Sequence, residues 1–326
     1  MLLVTGGAGF IGSNIVAALN DAGRADVVVC DFLGSDGKWR NLAKRQLADI
    51  TPPAELMQWL SGRKLDAVIH MGAISETTAT DGDLVVETNF RLSMRLLDWC
   101  TANSVPFIYA SSAATYGDGD QGFRDDESLA ALKQLRPMNL YGWSKHLFDL
   151  ALMERIAKGE KMPPQWAGLK FFNVFGPNEY HKGTMMSVLA KRFDDIREGH
   201  VVQLFKSHRD GIADGDQRRD FIHVDDVVRV IMWLLATRSA SGLFNVGTGH
   251  ARSFRDLILA AYSALGAKPN IEYIDMPEQI RSSYQYFTQA EVDHLRGAGY
   301  NGGFTTLEDG VGSYVRDFLD RPDRYR

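Results

Sequence analysis

Tyr141 and Lys145, in the run YGWSK, stand four residues apart, the spacing that places two side chains on one face of a helix. An ammonium beside a phenol favours the phenolate and lowers its pKa from about 10. Such a tyrosine exchanges a proton with an alcohol or a carbonyl near neutral pH. Upstream, YASSAATYG puts Ser112 at a strand end, where its hydroxyl can hydrogen-bond the reacting oxygen. Its neighbour Ser111 reads as a turn-forming serine. A further base, Lys182, lies in the loop-like EYHKGTMMS just ahead of Gly183. Taken alone it reads as one more solvated surface lysine.

A tyrosine and lysine of this kind act on an alcohol only beside a hydride acceptor, and VTGGAGFIG supplies the place for one. Gly7-x-Gly9-x-x-Gly12 falls between a strand and a helix, and Asp31 ends the next strand 19 residues after Gly12. The glycines let the backbone approach a pyrophosphate at the positive end of the helix. Asp31 suits a ribose 2′-hydroxyl and so NAD, whereas Lys38 and Arg40 suit a 2′-phosphate and so NADP. These residues leave both cofactors open. Asp49, in LADI, reads equally as a contact to the adenine edge and as a turn or cap residue.

The elements around these residues alternate. LLVTG, DVVVCD, DAVIHMGA, PFIYASS and GLKFFNVFG read as strands. FIGSNIVAALNDAG, AELMQWLSGR, VVETNFRLSMRLLDWCTAN and YGWSKHLFDLALMERIAKG read as helices between them. Alternation of this kind predicts an α/β fold, a doubly wound parallel sheet of Rossmann type. The strands are continuous apolar runs, as expected where both faces are covered. Beyond Pro177 the pattern loosens: a helix over GTMMSVLAKRFDDIREG, a strand at HVVQLF, and a polar loop at 206–220. DFIHVDDVVRVIMWLLATR and GLFNVGTG then return to strand, helix and strand. The expected division is a dinucleotide-binding domain of 1–174 plus 221–248 and a smaller mixed α/β substrate lobe of 175–220 plus 249–326, the lobe acting as a lid.

The chain has 326 residues, 45% hydrophobic and 24% charged, with a formal net charge of −5. That composition is globular, and the charge argues against nucleic acid, which calls for a basic stripe. No run reaches 18 apolar residues, so no membrane span is expected. MLLVTGG reads straight into a strand without a basic leader. Cys30 and Cys100 sit in apolar segments and read as buried reduced thiols, so a cytoplasmic location is expected. The aspartates of the 206–220 loop form no complete calcium pattern, and no metal is expected.

TGGAGFIG, SSAATYG, YGWSK and RRDFIHVDD together resemble the extended short-chain dehydrogenase/reductase family, over nearly the whole chain. The sugar-nucleotide dehydratases of that family carry an Asp-Glu pair just after the serine or threonine position. Here those places hold Ala113 and Ala114, so the acid and base that expel water are missing and an epimerase or a simple reductase remains. SSAATYG, NVFGPNEYHKG, FNVGTG and YQYFTQAE are similar to the branch that inverts C6 of an ADP-activated heptose for lipopolysaccharide cores. The alternative is another sugar-nucleotide 4-epimerase or reductase of the family using NAD.

The resemblance implies tightly bound NADP, with NAD possible, and a second catalytic acid/base at Lys182. The hydroxyl proton leaves on one face and the ketone is protonated on the other, so two separately placed groups serve, Tyr141 and Lys182. The cofactor would meet Gly6, Gly9, Phe10, Ile11, Gly12, Asp31, Phe32 and Lys38 at the first turn. It would then meet Met71, Gly72, Ala73, Ile74, Ser75 and Asn89, and finally Lys145, Val174 and Lys182. The ADP-sugar would meet Asn173, Thr184, Phe205, Arg219 and Tyr284, with Arg219 offering a bidentate phosphate contact and Phe205 reading equally as core. A homo-oligomer, a pentamer, is also implied. The chain departs from the family pattern in its longer 206–220 loop, in Lys191 where a histidine is expected, and in Phe32 where a polar residue follows the aspartate.

Overall fold

The computed structural model describes residues 1–281 and 284–326. Seven short runs, buried except at one exposed edge strand, form one parallel sheet. They are β1 (Leu2–Thr5), β2 (Val27–Cys30), β3 (Asp49–Thr51), β4 (Ala67–His70), β5 (Phe107–Ser112), β6 (Trp166–Phe171) and β10 (Gly242–Val246). Their order is β10-β6-β5-β4-β1-β2-β3, with Leu2 opposite Val27 on one side and Ala67 on the other. The order reverses between β1 and β4, and a sheet of this kind opens a crevice at that point, beyond its carboxyl ends.

Helices cover both faces. Short helical turns aside, the chain's helices are α1 (Phe10–Asp21), α2 (Leu92–Asn103), α3 (Leu140–Ala157), α4 (Val188–Glu198), α5 (Val224–Ala236), α6 (Phe254–Leu265) and α7 (Leu307–Tyr314), of which α1, α2, α3 and α5 cover the sheet. Ile15, Val16 and Leu19 of α1 pack with Val227, Ile231 and Leu234 of α5 against Val4, Val29 and Ile69. On the other face Leu96, Leu97 and Cys100 of α2 and Phe148 and Leu152 of α3 pack against Leu3, Val68 and Phe107. Cys30 and Cys100 are free and buried, and burial pushes both thiols up, Cys30 to about 12.

A second core gathers Leu189 and Phe193 of α4, Leu257 and Tyr262 of α6 and Val311 and Tyr314 of α7. β8 (Val202–Phe205) and β12 (Ile271–Ile274) edge it as a parallel pair. Between the two cores runs a three-stranded sheet, β11-β9-β7, made of β7 (Asn173–Phe175), β9 (Arg218–His223) and β11 (Ala251–Ser253).

Several elements differ from the sequence expectation. The single strand expected over GLKFFNVFG breaks at Phe172, whose amide closes the ladder onto Val246 O at 3.1 Å. β7 then leaves the large sheet to pair with β9. The segment expected to rejoin the large sheet does so through β10 only, since β9 pairs with β7 and β11. AELMQWLSGR is α-helical only over Leu56–Trp59. The helix expected from Gly183 begins at Val188, where Ser187 Oγ accepts from Ala190 N. Among the described residues no helix is long and apolar enough to cross a membrane.

Candidate active site

The turn after β1 is shaped by contact distances. A Cβ on Gly12 would stand 2.1 Å from Gly6 O, and one on Gly6 would stand 2.6 Å from Gly72 N. The glycines that meet the cavity are therefore Gly6, Gly9 and Gly12, whereas Gly7 abuts the Val29 side chain. Gly7 serves the packing of the turn, where a Cβ would stand 2.9 Å from Val4 O. Gly9 caps α1 without a side chain, and no acid lies in its first turn. Its leading N–H groups are thus left for an anion.

At the end of β2, Asp31 Oδ2 accepts from Ala8 N at 2.8 Å. Its Oδ1 accepts from Phe32 N at 2.8 Å and from Lys38 Nζ at 2.6 Å. Asp31 and Lys38 line the cavity together. Phe32 points away, 63% exposed. Asp49 lies outside the cavity wall, at the exposed start of β3, and accepts from Trp59 Nε1 at 2.7 Å. Met71, Gly72, Ala73 and Ser75 continue the wall, but Ile74 and Asn89 do not. Asn89 instead brackets Ile74, accepting from its amide at 2.8 Å and donating to its carbonyl at 2.9 Å, and donates to Ser144 Oγ at 2.9 Å. It holds the wall's backbone from behind.

Tyr141, Lys145 and Ser112 meet in the same cavity, of about 460 Å³, a volume ordinary for a small-molecule site. Asn139 Oδ1 caps α3 through Gly142 N at 2.8 Å, and Ser112 Oγ accepts from Ala114 N at 3.1 Å. Ser111 turns to the opposite face and donates to Asp149 Oδ2 at 2.7 Å. It is a buried network member, not a turn former. Burial raises the Tyr141 phenol above its ordinary value, and the Ser112 hydroxyl pulls it back. The lowering expected from Lys145 is therefore not what decides the phenol: burial does, and the opposing pull comes from Ser112. Burial brings Lys145 itself down to about 8, against the opposing pull of Asp149. Among the described residues Lys145 has no ion pair or hydrogen bond through its ammonium, although it is only 4% exposed. A buried ammonium facing a cavity without a protein acceptor fits the ribose hydroxyls of a dinucleotide. The glycine cradle and the uncapped α1 fit its pyrophosphate.

Lys182 reaches this cavity from a single-turn helical loop, Tyr180–Met185. Gly183 ends the turn at φ 52° and ψ −121°, a conformation open to glycine and costly for other residues. The Lys182 ammonium stands 5.3 Å from the centre of the Phe10 ring, and burial lowers its pKa. Asn173 and Val174 of β7 line the cavity as well. Thr184 does not: it is exposed, and its carbonyl accepts from Lys191 Nζ at 3.1 Å.

Phe205, Arg219 and Tyr284 form a separate cluster. The Arg219 guanidinium lies 5.1 Å from the Tyr284 ring and 5.6 Å from the Phe254 ring, and Phe205 meets Tyr284 edge-on at 6.5 Å. Phe254 and Phe221 belong to the cavity wall, so the cluster stands behind that wall. Arg218, beside Arg219, is exposed. The wall also includes residues the sequence reading passed over: Phe171, Phe172, His181, Met185, Met186 and Ser187. Their signal was the break of one apolar run at Phe172 and a serine placed before VLAKRF, which is a helix start.

A parallel sheet with a crevice at its reversal point, a glycine turn and a tyrosine–lysine pair define a dinucleotide-dependent enzyme of the short-chain dehydrogenase/reductase type. Residues 2–247 match the model of the NAD dependent epimerase/dehydratase family. An ADP-L-glycero-D-manno-heptose-6-epimerase of Nitratidesulfovibrio vulgaris (strain DP4) is 49% identical over 330 residues, spanning 100% of both chains. The crystal structure of Helicobacter pylori ADP-L-glycero-D-manno-heptose-6-epimerase is similar at a TM-score of 0.79 and 27% identity, covering 97% of this chain and 95% of that one. The UDP-glucose 4-epimerase of Thermus thermophilus, solved with NAD, is similar at a TM-score of 0.73 and 26% identity, covering 96% of this chain and 97% of that one. The chain therefore belongs to the NAD-dependent epimerase/dehydratase family. It is an epimerase that works with a nicotinamide cofactor.

Proposed function

We propose that this enzyme inverts C6 of ADP-D-glycero-D-manno-heptose to the L-glycero epimer, by transient oxidation to a ketone with tightly bound NADP. It would supply the heptose of lipopolysaccharide cores. The observation that carries the reading is the placing of Lys182 in one cavity with Tyr141, Lys145 and Ser112, beside the dinucleotide turn. A dehydrogenase needs a single proton-transfer group, whereas inversion at an alcohol carbon uses one for each face of the ketone.

When bound, the nicotinamide supplies the hydride acceptor and donor. Tyr141 takes the proton of the C6 hydroxyl while Ser112 hydrogen-bonds the oxygen. Lys145 holds the nicotinamide ribose. The ketone pivots and offers its other face, where the oxygen receives its proton from Lys182. Tyr141 and Lys182 then exchange protons with solvent before the next turnover. Asn173 would contact the sugar, and the Arg219 cluster would stand behind the nucleotide. NADP is favoured by Lys38 beside Asp31 at the cavity wall, an ammonium suited to a 2′-phosphate.

The second reading, a 4-epimerase or reductase of another sugar nucleotide using NAD, is favoured by the same Asp31 carboxylate, which suits a free 2′-hydroxyl. The test is to incubate the purified enzyme with ADP-D-glycero-D-manno-heptose, add no cofactor, and resolve the C6 epimers. Interconversion to a stable mixture is expected. Absence of interconversion, or a stoichiometric demand for reduced cofactor, overturns the reading.

A further inference from the structure

Glu179 lies three residues before Lys182, fully buried, and every polar partner its carboxylate meets shapes the loop that carries Lys182. Oε2 accepts from Ser187 N at 2.5 Å. Oε1 accepts from Ser187 Oγ at 2.8 Å, from the Tyr314 hydroxyl at 3.2 Å and from Gly176 N at 3.4 Å. One side chain thus ties the start of the loop at Gly176 to its end at Ser187, where α4 begins, and ties both to α7. The loop's own turn closes on the same residue, with Lys182 N donating to Glu179 O at 3.0 Å.

This anchoring has an electrostatic side. Among the described residues no cation stands within ion-pair distance of the carboxylate, so a buried charge rests on neutral donors, a costly arrangement unless another charge offsets it. The cation that acts most strongly on Glu179 is Lys182, with Lys191 of α4 also feeling the carboxylate, and the attraction between Lys182 and Glu179 is mutual. It draws the buried carboxyl back toward its ionised form and opposes the lowering of the Lys182 ammonium by burial. The other groups around the pair come from several elements. His181 and Tyr180 share the loop, Lys191 faces Lys182 from α4, and Tyr314 faces Glu179 from α7. The Phe10 ring of α1 lies under the ammonium. Of these, Glu179 alone adds a negative charge next to Lys182.

We propose that Glu179 is a positioning residue for Lys182: its carboxylate fixes the loop at both ends and holds the ammonium, charged, over the cavity. The proposal rests on the reading of Lys182 as the second acid/base group. It predicts that charge, and not only shape, is required at position 179.

The test compares Glu179→Gln and Glu179→Asp with the parent as holoenzymes. Lysines are reductively methylated with ¹³C, and the Lys182 resonance is assigned by its loss in Lys182→Met. In Glu179→Gln the Lys182 titration midpoint is expected about one pH unit lower, as befits loss of a nearby opposite charge. The basic limb of the kcat profile is expected to move with it and kcat to fall about tenfold, with KM within about twofold and cofactor content retained. Glu179→Asp is expected to keep the midpoint. A folded Glu179→Gln protein with an unmoved Lys182 midpoint overturns the proposal. If Glu179→Gln does not fold, Tyr314→Phe removes one donor from the carboxylate at a residue outside the cavity wall. A kcat reduced about twofold to fivefold at constant KM is then expected, and unchanged kcat overturns the proposal. The titration needs no turnover. An active Lys182→Met enzyme would therefore sink the two-group reading on its own, while the resonance still reported on Glu179.

Discussion

The Lys182 ammonium lies over the ring of Phe10, 5.3 Å from its centre. The second basic group of the cavity is thereby set against the first residue of α1, the helix whose amino end faces the cofactor site. A cation held on a ring face gains about 0.5–2 kcal/mol and is steered in direction. Tyr141 and Ser112 approach the same cavity from α3 and β5, so the groups proposed to transfer protons arrive on separate elements.

Lys182→Met keeps an apolar stem beside Phe10 and deletes the ammonium proposed as the second proton-transfer group. Epimerisation is expected to fall by about 10²–10⁴-fold, the range for loss of a general acid or base. Cofactor content after purification, read from the absorbance of the denatured supernatant, is expected to stay near that of the parent. An activity within a few-fold of the parent would return Lys182 to the status of a surface lysine.

Cofactor choice turns on Lys38. Its ammonium donates to Asp31 Oδ1 at 2.6 Å and to Phe32 O at 3.1 Å, within the wall that would receive the ribose. If a 2′-phosphate sits there, Lys38→Ala loses a charged hydrogen bond of about 1.5–3 kcal/mol, hence about 10–150-fold in NADP affinity. NAD affinity is expected to change by less than about threefold. Fluorescence titration of the cofactor-stripped protein with each dinucleotide decides the matter, and equal losses for both would point to NAD.

Much of this was legible in the sequence because period and punctuation agree. Apolar runs separated by amphipathic helices specify a parallel sheet, and the glycine turn, YGWSK and the serine-ended strand fall at its carboxyl ends. What escaped was decided by tertiary contact. GLKFFNVFG is one apolar run on paper, yet Phe172 binds Val246 and the chain leaves the sheet there. Asn89 sits where a cofactor contact was expected, but its amide is consumed by Ile74 and Ser144. Thr184 follows Gly183, whose backbone turns it outward. Glu179 gave no signal in the sequence because its four donors come from positions that no sequence period connects. The phenol of Tyr141 was expected to drop, and burial raises it, since desolvation depends on what packs around the residue.

Acid stability is expected to hinge on His70, at the end of β4. Thr5 Oγ1 lies 2.6 Å from its Nδ1 and Ser93 Oγ lies 2.8 Å from its Nε2. Ser93 spends its own hydrogen on Asn89 O at 2.6 Å, so it accepts from Nε2–H, and Nδ1 accepts from Thr5. Both nitrogens are committed with the ring neutral. Burial holds the ring's pKa down at about 3 against 6.5 when free. A group depressed by folding stabilises the fold above its unfolded pKa and loses that contribution as pH falls. The loss therefore begins near pH 6.5 and runs to about pH 3, reaching on the order of 2 kcal/mol by pH 5. Urea midpoints at pH 8 and pH 5 measure it. His70→Gln is expected to be less stable at pH 8 but to show a flatter slope between the two. An undiminished slope would assign the acid sensitivity elsewhere.

Asp149 sits four residues beyond Lys145 on α3 and pairs with Lys170 of β6 at 2.8 Å, both side chains almost wholly inaccessible. Tyr109 and Ser111 of β5 donate to the same carboxylate at 2.9 and 2.7 Å, and Lys170 donates to Thr115 Oγ1 at 2.8 Å. Thr115 in turn donates to Ser112 O at 2.8 Å, so the network ends on the serine of the active site. Asp149→Asn strands the Lys170 ammonium in the core, which is expected to cost about 3–5 kcal/mol. Lys170→Met strands the carboxylate and is expected to cost a similar amount. Asp149→Asn with Lys170→Met removes both charges together and is expected to recover most of the loss, leaving a coupling of about 2 kcal/mol or more in a double-mutant cycle. Function should separate from stability here. Asp149 opposes the lowering of Lys145 by burial, so the stable double variant is expected to lose cationic Lys145 at a lower pH. The pH at which cofactor affinity declines is then expected to move below that of the parent. Additive single effects in chemical denaturation, or a cofactor pH profile that does not move, would reduce the pair to ordinary core packing.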